Sequence, residues 1–165
     1  MSTRKLSVLA VFATLSLAIY AAESALPPLL PLPGIKLGLA NIITLLLLQR
    51  FSARDALLVL LCRILLSGLL FGQAVSILYS LAGGLLSLGV MALATRLLQK
   101  KLPFLAGALG GLAHNLGQLG AALLLTSTPG VLSYLPALIL SGILTGLFTG
   151  LCAGFAGKLL PHHMF

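Results

Sequence analysis

The sequence is nearly without acid. Its 165 residues hold two carboxylate side chains, Glu23 and Asp55, against ten lysines and arginines. A mechanism that needs paired carboxylates in one cavity has too little material here. Charge of either sign is scarce: 7% of the residues are charged, where a soluble domain carries about a quarter. With 59% hydrophobic residues and a mean hydropathy of +1.17, the chain cannot clothe a water-facing surface. Its solvent is lipid. There is no Walker-type phosphate loop and no readable nucleophile with a base and an orienting acid. The two cysteines, Cys62 and Cys152, sit in apolar runs without partner spacing, so they read as packing residues. His162 and His163 are adjacent but lack further ligands. No catalytic residue, metal or cofactor is expected, and a net charge of +8 invites a test against nucleic acid. That reading fails, because the bases are scattered singly between apolar runs with no basic stripe.

What is present is a series of long apolar runs. At about 20 residues per crossing, the chain reads as a single all-α membrane domain, 1–165, a six-transmembrane-helix bundle. The spans fall at about 6–25, 35–49, 56–71, 75–98, 105–125 and 135–159. The first could be a signal peptide, since Ala22-Glu-Ser24 loosely resembles a cleavage site; Glu23 is unusual there, and the run is taken as span 1. Between the first two spans, Pro27, Pro28, Pro31 and Pro33 exclude a helix by fixing φ and removing N–H donors. They make a stiff loop. Gly72-Gln73, Pro103 and 126–130 mark further turns.

Charge then sets the sidedness. With the N-terminus inside, the inner segments hold Arg4, Lys5, Arg50, Arg54, Arg96, Lys100, Lys101 and Lys158, eight of the ten bases. The outer connections 26–34, 72–74 and 126–134 hold none. This is the positive-inside pattern, and it places both termini in the cytoplasm of a bacterial inner-membrane protein. Lys36 and Arg63 are the exceptions.

Those exceptions belong to a wider polar set inside the spans: Glu23, Lys36, Asn41, Arg63, His114, Asn115 and Gln118. An arginine in mid-span costs about 2.5–3.5 kcal/mol on insertion scales, so Arg63 needs a partner or a watery hollow. Lys36 and Arg63 against Glu23 leave one positive charge unbalanced in the outer half. A bound anion would balance it; alternatively Arg63 pairs with Glu23 or loop carbonyls and is structural. His114, Asn115 and Gln118 crowd one side of a helix at i, i+3 and i+4. They suit either a ligand's polar edge or an interhelical clamp. In span 6, Gly142, Gly146, Gly150 and Gly154 form a spacing-four stripe for close helix packing. Span 5 carries Ala113, Gly117 and Ala121 at the same spacing.

Five ordered motifs carry a resemblance. They are Pro33-Gly-Ile-Lys-Leu-Gly-Leu-Ala-Asn-Ile42, Arg63-Ile-Leu-Leu-Ser-Gly-Leu-Leu-Phe-Gly72, Tyr79-Ser-Leu-Ala-Gly-Gly84, His114-Asn-Leu-Gly-Gln118, and Tyr134-Leu-Pro with Ser141-Gly and Thr145-Gly146. Together they resemble the Gx transporter family, also catalogued as heptaprenyl diphosphate synthase component I. That family is similar to the S components of energy-coupling factor transporters, which bind small molecules from outside and work with a T component and ATPases. The resemblance puts the family signature on Glu23, Gly34, Lys36, Gly38, Asn41, Arg63, Gly72, His114, Asn115 and Gln118. It implies a substrate-binding subunit for a small anionic or amphipathic metabolite, with energy supplied by partners. The S-component helix-1 docking pattern is matched by Ala18-xxx-Ala22 and Ala21-xxx-Ala25, near the outer end. The alternative is a non-catalytic accessory or scaffold subunit linked to isoprenoid or quinone supply. A synthase role fits poorly, because a metal-diphosphate reaction needs several oxygen ligands.

Overall fold

Helices begin here where a hydroxyl, a carboxylate or a proline can start them. The computed structural model describes residues 2–25, 36–71 and 74–160. The Ser2 hydroxyl accepts the Lys5 N–H at 3.3 Å and opens α1, Thr3–Ser24. Ser52 and Asp55 bond each other reciprocally: Asp55 accepts from the Ser52 N–H, and Ser52 Oγ accepts from the Asp55 N–H. This capping box, a kind of cap worth about 1 kcal/mol, starts α3, Ala53–Phe71. Pro103 and Pro136 occupy the first turns of α5, Pro103–Thr126, and α6, Leu135–Leu159, where a missing N–H costs nothing. α4 spans Ala74–Leu97, and a single 3-10 stretch, Pro129–Tyr134, leads into α6. Among the described residues there is no strand.

α1, α4, α5 and the segment Pro129–Leu159 are each long and apolar enough to cross a membrane. α3 has 19 residues but carries Arg54, Asp55 and Arg63. Leu69, Leu97, Leu124 and Leu159 point their side chains outward, as a lipid-facing surface requires. The bounds expected for five of the helices hold to within three residues.

Span 2 is the correction. The expected helix 35–49 is instead α2, Asn41–Arg50, ten residues long. Residues 36–40 are not a helix, because Gly38 takes φ +80, a conformation that breaks right-handed helix and suits glycine. Asn41 is therefore the first helical residue, not one lying about 10 Å inside a helix. At about 1.5 Å per residue α2 reaches half of a hydrocarbon core. Even so, it contacts every other helix, and seven of its residues are buried.

The interior divides into two zones. Ile43 and Leu45–Leu48 of α2 pack with Leu9 and Phe12 of α1, with Val59, Leu60 and Ile64 of α3, and with Met91 of α4. This dry zone lies toward the end holding the N-terminus. The other zone holds the polar groups. α5 and α6 meet backbone to backbone: a Cβ on Gly107 or Gly146 would collide with the carbonyl oxygen of the other. Gly142 and Gly150 also face α5 backbone, and Gly154 packs on the Pro103 ring. Gly117 faces α4 instead, against the Ala82 carbonyl.

Candidate functional site

The site is built on the break before α2. Ala40, the residue before α2, supplies no side-chain cap; the Asn41, Ile42 and Ile43 N–H groups donate to the Gly38, Leu39 and Ala40 carbonyls at 2.9, 3.0 and 3.2 Å, which moves the unbonded donors of the helix start back to Gly38 and Leu39. Glu23, near the end of α1, takes those two from a distance. Its Oε1 accepts the Gly38 N–H at 2.8 Å, and its Oε2 accepts the Leu39 N–H at 3.0 Å. A carboxylate at this position also answers the positive end of the helix dipole. Both oxygens are thereby committed to backbone. Further along the break, the Lys36 N–H donates to Gln118 Oε1 at 3.2 Å, and Thr145 Oγ1 lies 3.4 Å from the Leu37 carbonyl. The segment is thus pinned to α1, α5 and α6.

The cations gather on Tyr20. Lys36 Nζ stands 3.5 Å above the Tyr20 ring and donates to Ser24 Oγ. The Arg63 guanidinium carbon lies 5.5 Å from the same ring, within range for a cation–π contact. The Tyr20 hydroxyl shares a hydrogen bond with Ser76 Oγ at 3.0 Å. Arg63 feels the charge of Glu23 but forms no ion pair with it. It is 2% exposed, and its Nε and Nη2 lack hydrogen-bond partners.

His114 lies between two glycines. A Cβ on Gly38 would stand 2.8 Å from its Cδ2, and one on Gly83 would stand 3.1 Å from its Cε1. Neither ring nitrogen has a hydrogen-bond partner; the Gly83 carbonyl acts on the ring but falls short of hydrogen-bond geometry. Arg63 acts on His114 electrostatically. Asn41 lies against the same Gly38, and its Oδ1 is also unpartnered. Buried polar atoms are nearly always bonded, and each exception calls for a reason.

Of the residues singled out from the sequence, Glu23, Lys36, Asn41, Arg63, His114 and Gln118 come together around this break. Asn115 turns the other way. Its Nδ2 donates to the Leu138 carbonyl at 2.8 Å and to Ser141 Oγ at 3.1 Å, joining α5 to α6. The proline loop, Gly34, Gly72 and the His162–His163 pair lie outside the described residues. Tyr20, Ser76 and Gly83 are additions. Tyr20 precedes Glu23 by three residues, one helical turn, and that spacing was the available signal; nothing in the sequence points to Ser76. No group of three or more histidine, cysteine or acidic side chains suited to a metal occurs among the described residues.

A family model described as heptaprenyl diphosphate synthase component I matches residues 12–156. No curated protein and no solved structure matches the chain.

Proposed function

The chain belongs to the heptaprenyl diphosphate synthase component I family, and from that membership we propose that it is a membrane substrate-binding subunit, similar to an S component of an energy-coupling factor transporter. One observation carries the reading. Arg63, His114 and Asn41 are buried, lie around the non-helical lead-in to one short helix and keep unpartnered polar atoms. Leaving such an atom unbonded costs about 1–3 kcal/mol, and a small polar ligand bound there relieves it. Non-helical backbone at membrane depth is tolerated where it is buried in protein or lines a water-filled cavity.

The bundle crosses the bacterial inner membrane six times with both termini cytoplasmic; residues 36–40 and α2 together make the second crossing. Eight of ten bases then lie inside. The metabolite enters from outside. Arg63 and Lys36 meet its negative group, because Glu23, which accepts the Gly38 and Leu39 N–H groups, forms an ion pair with neither of them. Asn41, His114 and Gln118 fix its polar edge, while Asn115 holds α6 in place. The sequence carries no Walker-type phosphate loop, so a T component and ATPases supply the energy. Ala18 and Ala22 are exposed on α1 for such a partner. It is not an enzyme: its two acids, Glu23 and Asp55, are engaged in structural bonds at separate places.

A second reading is a non-catalytic accessory subunit. The Asn115 clamp favours it, and so does the family's name, which is that of one component of an assembly. The test is mass spectrometry of small molecules retained by the full chain in lipid nanodiscs. The proposal expects one anionic or amphipathic metabolite, lost on Arg63→Met. Retention of none across varied growth media, or unaltered retention by the variant, selects the accessory reading.

A further inference from the structure

At the end of the bundle away from the broken helix, a cavity of about 460 Å³ opens beside the start of α5 and the end of α6. Arg50, Lys100, Lys101 and Lys158 line it, and no acidic residue does. The nearest carboxylate along the chain, Asp55, lines an adjoining cavity that shares Arg50, and takes Lys5 at 2.8 Å and the Ser52 hydroxyl at 2.7 Å. Three of the cations have contacts of their own. Arg50 donates to the Gly157 carbonyl. Lys100 Nζ donates to the Gln49 carbonyl at 2.7 Å and keeps two further ammonium hydrogens. Gln99 and Lys100 take φ 49 and 62, so the turn that presents Lys100 and Lys101 is a left-handed one built without glycine. Lys158 stands 5.9 Å from the Phe155 ring.

The other wall is apolar and faces outward. Phe104 is 39% exposed and Phe155 65%. Both continue the outward-facing surface of α5 and α6. A soluble anion has no use for such a wall, whereas a lipid places its phosphates among the cations and its chains along the phenylalanines.

We propose that this cavity binds an anionic membrane lipid whose headgroup bears two phosphates. Basic pockets between helix ends at a membrane surface have the right chemistry for such headgroups. Lys100, Lys101 and Lys158, beside an Arg50 shared with the adjoining cavity, exceed the single charge of an ordinary phosphodiester, and two phosphates match them better. The inference does not rest on the substrate reading, because the two sites lie at opposite ends and share no residue. It also holds for either orientation in the bilayer.

The experiment uses the full chain in nanodiscs of phosphatidylcholine alone, with phosphatidylglycerol, or with cardiolipin, the last two matched in charge. Native mass spectrometry and thermal melts are the readouts. One cardiolipin should stay bound, in preference to phosphatidylglycerol, and raise the melting temperature. The double variant Lys101→Ala/Lys158→Ala should lose retention at least tenfold. Arg54→Ala, an exposed base at the same end that lines neither cavity, should not. Both lysines are exposed, and the lipid preference of the unaltered chain is read without any variant. Equal retention of both anionic lipids would overturn the proposal, as would equal loss in the Arg54 control. So would full protection by inorganic diphosphate in a neutral detergent, which would assign the cavity to a free anion.

Discussion

Gly38 leaves the His114 imidazole no room to share: a Cβ at that glycine would stand 2.8 Å from Cδ2. The backbone there is also left-handed, at φ +80. Gly38→Ala therefore carries a conformational cost of about 1–2 kcal/mol and pushes the ring out of its slot. A lower melting temperature and weaker ligand retention are expected together. A melt unchanged from the parent would mean that the ring and the break are not coupled.

Arg63 offers the opposite sign. It is buried and partly unpartnered, and placing it in a span costs about 2.5–3.5 kcal/mol. Arg63→Met should melt no lower than the parent without ligand, and should lose ligand retention. Arg63→Lys keeps the charge but not the planar fork, and should fall between. A large drop in the melting temperature for Arg63→Met would make the arginine a structural tie.

Glu23→Gln tests the remote cap. An amide has one acceptor oxygen where two N–H donors wait at 2.8 and 3.0 Å, so one donor meets an NH₂ group. A loss of about 1–3 kcal/mol is expected for the stranded N–H, measured by unfolding in detergent. No loss would mean that the break is held by its α5 and α6 contacts alone.

The glycines divide by what lies opposite them. Gly107→Ala and Gly146→Ala push a methyl into facing backbone and should abolish the folded α5–α6 pair. Gly89 and Gly120 have nothing within 4 Å of an added Cβ. Alanine there should stabilise by about 0.5–1 kcal/mol through helix propensity alone. Thermal melts of the four variants decide the matter, and an equal response from all four would refute the seam.

Much of the fold was legible because apolar run length and proline report helix ends directly. The expected bounds of span 6, 135–159, coincide with α6. Span 2 was misjudged at its start because Gly38, within an apolar run, carries no sign of its φ. The partner of its N–H is Glu23, fifteen positions earlier. The polar residues were legible by their cost in lipid, but their directions were not. Asn115 and His114 are neighbours in sequence, yet a helix turns successive side chains about 100° apart. One faces α6 and the other faces the break. Tyr20 escaped notice because an aromatic in an apolar helix is ordinary, and its role appears only once Lys36 lies over it.

The half-length of α2 bears on how the protein is made. Its ten residues reach about 15 Å against a hydrocarbon thickness of about 30 Å, so it cannot anchor itself as it leaves the ribosome. It is carried in by its neighbours: α1, which precedes it, and α3 to α6, which follow. With Cys62 and Cys152 replaced by serine, a nascent chain halted before Ala53 should leave a cysteine substituted for Leu45 open to a water-borne thiol reagent. The completed chain, where Leu45 is fully buried, should shield it; early shielding would refute this order. The keystone of the arch is then set only after helices that follow it, and the two sides of the chain must wait for each other before there is anything to bind.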